Sequence, residues 1–107
     1  AKRMWKDTLL VFISDNGAPI GLGAGGSTWP LKGGKGSDWE GGHRTAAFVS
    51  GGYVPKASRG ASMDQVMHIT DWYATLLGQA GADTADPQGE AAGIAPVDSL
   101  DYWDAIS

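Results

Sequence analysis

An unbroken apolar run, Leu9-Leu10-Val11-Phe12-Ile13, stops abruptly at Ser14-Asp15-Asn16-Gly17. Its length and its β-branched and aromatic content predict a fully buried strand over Leu9 to Ser14, with a polar pair at its carboxyl end. A second run, Thr45-Ala46-Ala47-Phe48-Val49-Ser50, predicts another strand closed by Gly51-Gly52. From Gly17 to about Gly42 the pattern dissolves into a glycine-rich loop. From His68 to Ala80 the period changes: Ile69, Trp72, Leu76, Leu77 and Ala80 share one helical face, which predicts an amphipathic helix burying that face. Thr70 or Asp71 would supply an N-cap oxygen, and Gly81 stands where a left-handed C-cap belongs. Tyr53 to Met63 reads as irregular, with Pro55 and Gly60 as breakers. Gly81 to Ala95 has no periodicity and reads as a solvated connection. A short terminal helix around Leu100 to Ile106 would bury Leu100, Trp103 and Ile106. No internal repeat is present, and the order of elements points to an α/β fold.

Composition changes this picture in one respect. Of 107 residues, 17 are glycine, and most lie between Gly17 and Gly52. A loop of that kind gives up backbone entropy without burying side chains, which argues against a self-sufficient compact fold. Net charge is −4. Lys32, Lys35, His43 and Arg44 make one local positive patch, but no basic stripe of the kind nucleic acid needs. No apolar segment approaches the roughly 18 residues required to span a bilayer, and the first residues lack a signal-peptide pattern. The chain starts Ala1-Lys2-Arg3 with no initiator Met, which suits a piece of something longer. With no cysteine, disulfides, thiolate zinc sites and a cysteine nucleophile are excluded within these residues. Asn16, the single asparagine, lies in no glycosylation sequon.

The strand tip carries the first candidate chemistry. Asp15 offers a carboxylate and Asn16 a side-chain carbonyl, both hard oxygen donors suited to calcium or magnesium, at the strand end where α/β sheets collect ligands. Two adjacent ligands make half a site. The blander reading is an ordinary turn after a strand. Lys35 sits among Gly33, Gly34 and Gly36, where backbone can approach an anion closely. It is not a Walker loop, because Gly36 follows the lysine and Trp29 occupies the position that the motif reserves for glycine. Glu40 and Arg44 are spaced to hold the loop by an ion pair. His43 reads as loop surface and His68 as a structural histidine bonded to backbone. Trp5, Trp72 and Trp103 read as core aromatics, whereas Trp29 and Trp39 are candidates for stacking on a sugar or aryl ring.

Five blocks in order carry a resemblance. They are Thr8 to Gly17, Trp29-Pro30-Leu31-Lys32-Gly33-Gly34-Lys35, Trp39-Glu40-Gly41-Gly42-His43-Arg44, His68-Ile69-Thr70-Asp71-Trp72-Tyr73-Ala74-Thr75-Leu76 and Leu100-Asp101-Tyr102-Trp103. Together they resemble the later part of the catalytic domain of type I sulfatases, closest to the arylsulfatase B-like branch of the alkaline phosphatase superfamily. The resemblance implies that residues 1–107 are a carboxyl-terminal fragment of that domain. It also implies a partial alkaline-phosphatase-like sheet with flanking helices, its glycine-rich loop lying between the first two strands. Asp15 and Asn16 would be metal ligands, usually to calcium. Lys35 would be the catalytic and substrate-binding lysine, contacting the sulfate and the leaving oxygen of an aryl or sugar sulfate ester. A secretory-pathway location is implied as well.

What is missing bounds the expectation. The family nucleophile is a formylglycine made from a Cys-or-Ser-x-Pro-x-Arg motif, and none of Pro19, Pro30, Pro55, Pro87 or Pro96 fits it. The Asp pair that completes the metal shell is absent too. The nucleophile and the rest of the site would come from the remainder of the sulfatase chain, and these 107 residues alone are expected to be inactive. Two alternatives stand beside this reading: a phosphoesterase of the same superfamily, and a non-catalytic sugar-binding or structural module.

Overall fold

The computed structural model describes residues 2–21 and 23–107. They form two compact units, Ala1–Tyr53 and Val54–Ser107.

In the first unit a short 3-10 turn, Trp5–Asp7, leads into strand β1 (Leu10–Ile13). After a long connection containing one short helix, α1 (Glu40–His43), the chain returns as strand β2 (Ala47–Ser50). The strands pair antiparallel, with Phe12 opposite Phe48 and Leu10 opposite Ser50. The two phenylalanine rings stack with centroids 5.0 Å apart and planes 12° from parallel. Cross-strand aromatic pairs of this kind stabilise a two-stranded ribbon. Gly52 N–H donates to Trp5 O at 2.9 Å and Tyr53 N–H to Thr8 O at 3.1 Å, tying off the ribbon's far end. The α/β class is therefore observed, but the expectation of a fully buried strand is corrected. Phe12 is 53% and Phe48 54% exposed, because two strands present their apolar rows to no third strand or long helix among the described residues of this unit. Trp5, expected in a core, is exposed as well.

The second unit is helical: a 3-10 turn (Lys56–Ser58), then α2 (Asp71–Ala80), α3 (Pro87–Ala91) and α4 (Trp103–Ile106). Helix α2 ends as expected, with Gly81 at φ 68° and Ala82 N–H donating to Leu77 O at 3.0 Å. Its burial differs from the expected one, with Trp72 and Leu77 of the apolar face only half-buried. Asp71, Ala74 and Thr75 are the buried residues, while Ile69 and Leu76 stand open. The reason is a polar lacing over that face. Asp71 Oδ2 accepts from His68 N–H at 2.8 Å and Oδ1 from Leu100 N–H at 3.0 Å. Ser99 Oγ accepts from Ala74 N–H at 2.9 Å and donates to Thr70 O at 2.8 Å. Thr75, fully buried, donates to Asp71 O at 2.7 Å and accepts from Tyr102 N–H at 3.0 Å. Buried polar groups satisfied this completely draw the Ser99 to Tyr102 segment onto the polar side of the helix.

Three further expectations change. Thr70 caps nothing with its side chain, since its hydroxyl lies 2.8 Å from His68 Nδ1, and the Asp71 carboxylate accepts from the His68 amide, three residues back, instead. The connection after Gly81 contains α3, whose N-cap Asp86 accepts from Gly89 N–H at 2.9 Å with Pro87 in the first turn. Leu100, expected under the terminal helix, is exposed; Trp103 and Ile106 are half-buried.

Candidate functional site

The candidate residues lie in the first unit, where β1 ends and the glycine-rich connection folds back. This connection is held backbone to backbone. Gly17 N–H donates to Gly42 O at 2.9 Å, Gly41 N–H to Lys32 O at 2.8 Å, and Lys35 N–H to Ala18 O at 2.9 Å. Gly17, Gly34, Gly41 and Gly42 are buried in it. A Cβ on Gly17 would collide with the carbonyl oxygen of Gly41, and one on Gly41 with that of Gly33. Glycine is thus required here by close approach of main chains, not by turn geometry. Two hydroxyls finish the brace: Thr28 Oγ1 donates to Gly33 O at 2.6 Å and Ser37 Oγ to Gly34 O at 2.8 Å.

This bracing brings the backbone of Lys35 beside Ala18, two residues beyond the Asp15-Asn16 tip. The side chains themselves have little structural work. Lys35 is exposed and its ammonium has no partner among the described residues. Asp15 is exposed, and its carboxylate accepts only a long bond, 3.4 Å, from the neighbouring Ser14 hydroxyl. Asn16 donates from Nδ2 to Gly17 O at 2.9 Å, which turns its amide so that Oδ1 accepts no hydrogen bond. The donor chemistry therefore fits a hard divalent cation at Asp15 and Asn16. The set is incomplete: among the described residues no group of three or more His, Cys, Asp or Glu is arranged to hold a metal.

The remaining candidates separate cleanly. Lys32, three residues before Lys35, is committed elsewhere, its Nζ lying 3.5 Å from the centre of the Trp39 ring as a cation–π pair. That contact occupies a face of Trp39 and had no signal in the spacing. Trp29 is exposed. Arg44 and Glu40 form the expected ion pair, 3.7 Å and solvent-exposed. His43 is exposed at the end of α1. His68 lies in the second unit, its Nδ1 accepting the Thr70 amide at 3.3 Å, as expected for a structural histidine.

Comparison with known proteins decides the family. The profile described as Sulfatase matches residues 1–82. The chain belongs to the sulfatase family. It is 36% identical over 103 residues to Arylsulfatase J of Mus musculus, an alignment covering 96% of this chain and 15% of that protein. It is 34% identical over 84 residues to Steryl-sulfatase of Mus musculus, covering 73% of this chain and 13% of that protein. This sulfatase segment thus spans about one-seventh of the curated relatives it matches. No solved structure matches it at a comparable level. Among its described residues no helix is long and apolar enough to cross a membrane.

Proposed function

We propose that this chain is the part of a sulfuric ester hydrolase that supplies two calcium ligands, Asp15 and Asn16, and one sulfate-contacting cation, Lys35. The observation that carries the reading is the 2.9 Å bond from the Lys35 amide to Ala18 O. It anchors the uncommitted lysine of the loop two residues from the uncommitted oxygens of the strand tip. The matched relatives are both named as sulfatases, and nothing favours the phosphoesterase or the sugar-binding alternative.

The chemistry follows from charge. As the sulfur–oxygen bond of a sulfate ester breaks, negative charge moves onto the bridging oxygen. An ammonium held on a braced loop stabilises that charge without reorganising, and it can pass a proton to the leaving alcohol. Lys35 is the group in this chain that does both. Asp15 and Asn16 would hold the cation, which would supply positive charge to stabilise the sulfate. The formylglycine nucleophile and the other metal ligands belong to the remainder of the domain, within an alkaline-phosphatase-like sheet of which β1 is one strand.

Two measurements test this. Aryl sulfate turnover by the 107 residues alone is expected to be absent; measurable turnover overturns the assignment. In the complete sulfatase, Lys35→Ala is expected to lower kcat by about 3 kcal/mol of transition-state stabilisation, on the order of a hundredfold, with folding intact. An unchanged kcat removes Lys35 from the mechanism.

A further inference from the structure

Asn16 is the single asparagine of the chain, and a glycine follows it. This is the most reactive setting for a side-chain amide, because a following residue without Cβ leaves its main-chain nitrogen unhindered to attack the carboxamide. Asparagine counts among the thermolabile residues. Most chains could shed the hazard by replacing the glycine. This one cannot, since a Cβ on Gly17 would collide with the carbonyl oxygen of Gly41. The structure instead ties both of the nitrogens that would react. Gly17 N, the nucleophile, donates its hydrogen to Gly42 O at 2.9 Å. Asn16 Nδ2, the leaving nitrogen, donates to Gly17 O at 2.9 Å. Gly17 is buried and Asn16 half-buried, which limits access for the water that completes the reaction.

We propose that Asn16-Gly17 is a site of spontaneous deamidation whose rate is set by opening of the glycine brace. In the open form Gly17 N attacks Asn16 Cγ and the new bond closes a succinimide ring. The bond from Cγ to Nδ2 breaks, and ammonia leaves with the proton that Gly17 N gave up. Water then adds to either ring carbonyl and opens the ring, leaving aspartate or isoaspartate in place of Asn16. The net exchange is water in and ammonia out, with no oxidant or cofactor. While the brace is closed, Gly17 N keeps its hydrogen on Gly42 O and cannot turn toward Cγ. Modification therefore proceeds only through the molecules that open locally. Either product adds a negative charge at the strand tip. The isoaspartate form also lengthens the main chain by a carbon atom before Gly17, which pulls that residue out of register with Gly42. Any consequence for catalysis rests on the proposed metal role of Asn16; the modification itself does not.

The test uses the complete sulfatase and reads mass instead of turnover. Trypsin releases the stretch between Lys6 and Lys32, in which Asn16 is the only side-chain amide, so exchange of its NH2 for OH is assigned without ambiguity. A synthetic peptide, Ile13 to Gly21, gives the unbraced rate in the same mildly alkaline buffer. The native enzyme is expected to deamidate at least roughly tenfold more slowly than the peptide, as a protected local opening requires. Ser37→Ala removes the hydroxyl that holds Gly34 N–H and O. Gly42→Ala drives a methyl group into Ser37 O. Each variant, in preparations whose circular dichroism matches wild type, is expected to deamidate severalfold faster than the native enzyme; should Gly42→Ala fail to fold, Ser37→Ala decides. Equal rates in native enzyme and peptide overturn the proposal. So do natively folded variants no faster than wild type, and so does a peptide that does not deamidate. Failure of Lys35→Ala to lower kcat would sink the catalytic reading without touching this result.

Discussion

The two units solve the same problem, placing polar atoms where solvent is scarce, by opposite means. Around the Asp15-Asn16 tip the main chain binds itself: glycine amides and carbonyls meet directly, and the side chains of Asp15 and Lys35 carry no part of the frame. In the helical unit the side chains are the frame, with Asp71, Thr75 and Ser99 each bridging separate stretches of backbone. The difference teaches where function and stability reside. Polar residues relieved of structural duty are available for chemistry, and those sunk into amide bonds are not, although Asp15 and Asp71 are the same residue type.

The sharpest way to break that contrast is Lys35→Ala, whose large loss in kcat should come with no change in melting temperature. A comparable fall in melting temperature would mean that the loop leans on its side chains after all. Gly17→Ala probes the other half of the statement. The added methyl must displace the Gly41 carbonyl and with it the 2.9 Å bond from Gly17 to Gly42. Overpacking against rigid backbone should cost up to about 3 kcal/mol of stability. Because Lys35 is anchored by the same brace, activity of the complete enzyme should fall too. A thermal melt and a kcat measurement on one preparation check both, and a neutral substitution would show the brace to be dispensable.

How far the sequence reveals this depends on what each feature needs in order to be seen. Strand β1, strand β2 and helix α2 are legible because their periodicities are local, and Gly81 because a left-handed cap has a residue preference. The proposed pairing of Asp15 and Asn16 with Lys35 rests on the resemblance of ordered blocks to a family; what the backbone itself shows is the Lys35 amide bonded to Ala18 O, and no rule of spacing predicts even that contact between a strand tip and an irregular loop. The burial of α2 was illegible for a physical reason. Periodicity identifies the apolar face and assigns it to the nearest core, but Asp71, Thr75 and Ser99 form a network between residues far apart in sequence, and that network captures the polar face first. The Lys32–Trp39 contact was illegible likewise, since a seven-residue separation without a helix carries no expectation of contact. Helix α3 is obscured for another reason: Asp86-Pro87 is an ordinary helix start, but the alanine and glycine around it carry no periodicity.

Asp71→Ala closes the comparison from the side of the helical unit, with the smallest of the three expected effects. Its carboxylate accepts two main-chain amides, one from each side of the lacing, so truncation leaves the His68 and Leu100 N–H groups without their acceptor. Asp71 is buried, and water does not replace the lost oxygens freely. Unpairing buried donors costs about 1–3 kcal/mol, and about 2 kcal/mol is expected here. Asp71→Asn should not rescue it, because the amide nitrogen of the new side chain would face one of the two N–H groups, donor against donor. The residue belongs to the family-like block from His68 to Leu76, so its identity alone would make it a candidate for catalysis. Its geometry argues otherwise. In the complete enzyme, kcat per folded molecule should therefore be preserved while chemical and thermal midpoints shift. A variant with wild-type midpoints and depressed kcat would reverse the roles assigned to the two aspartates.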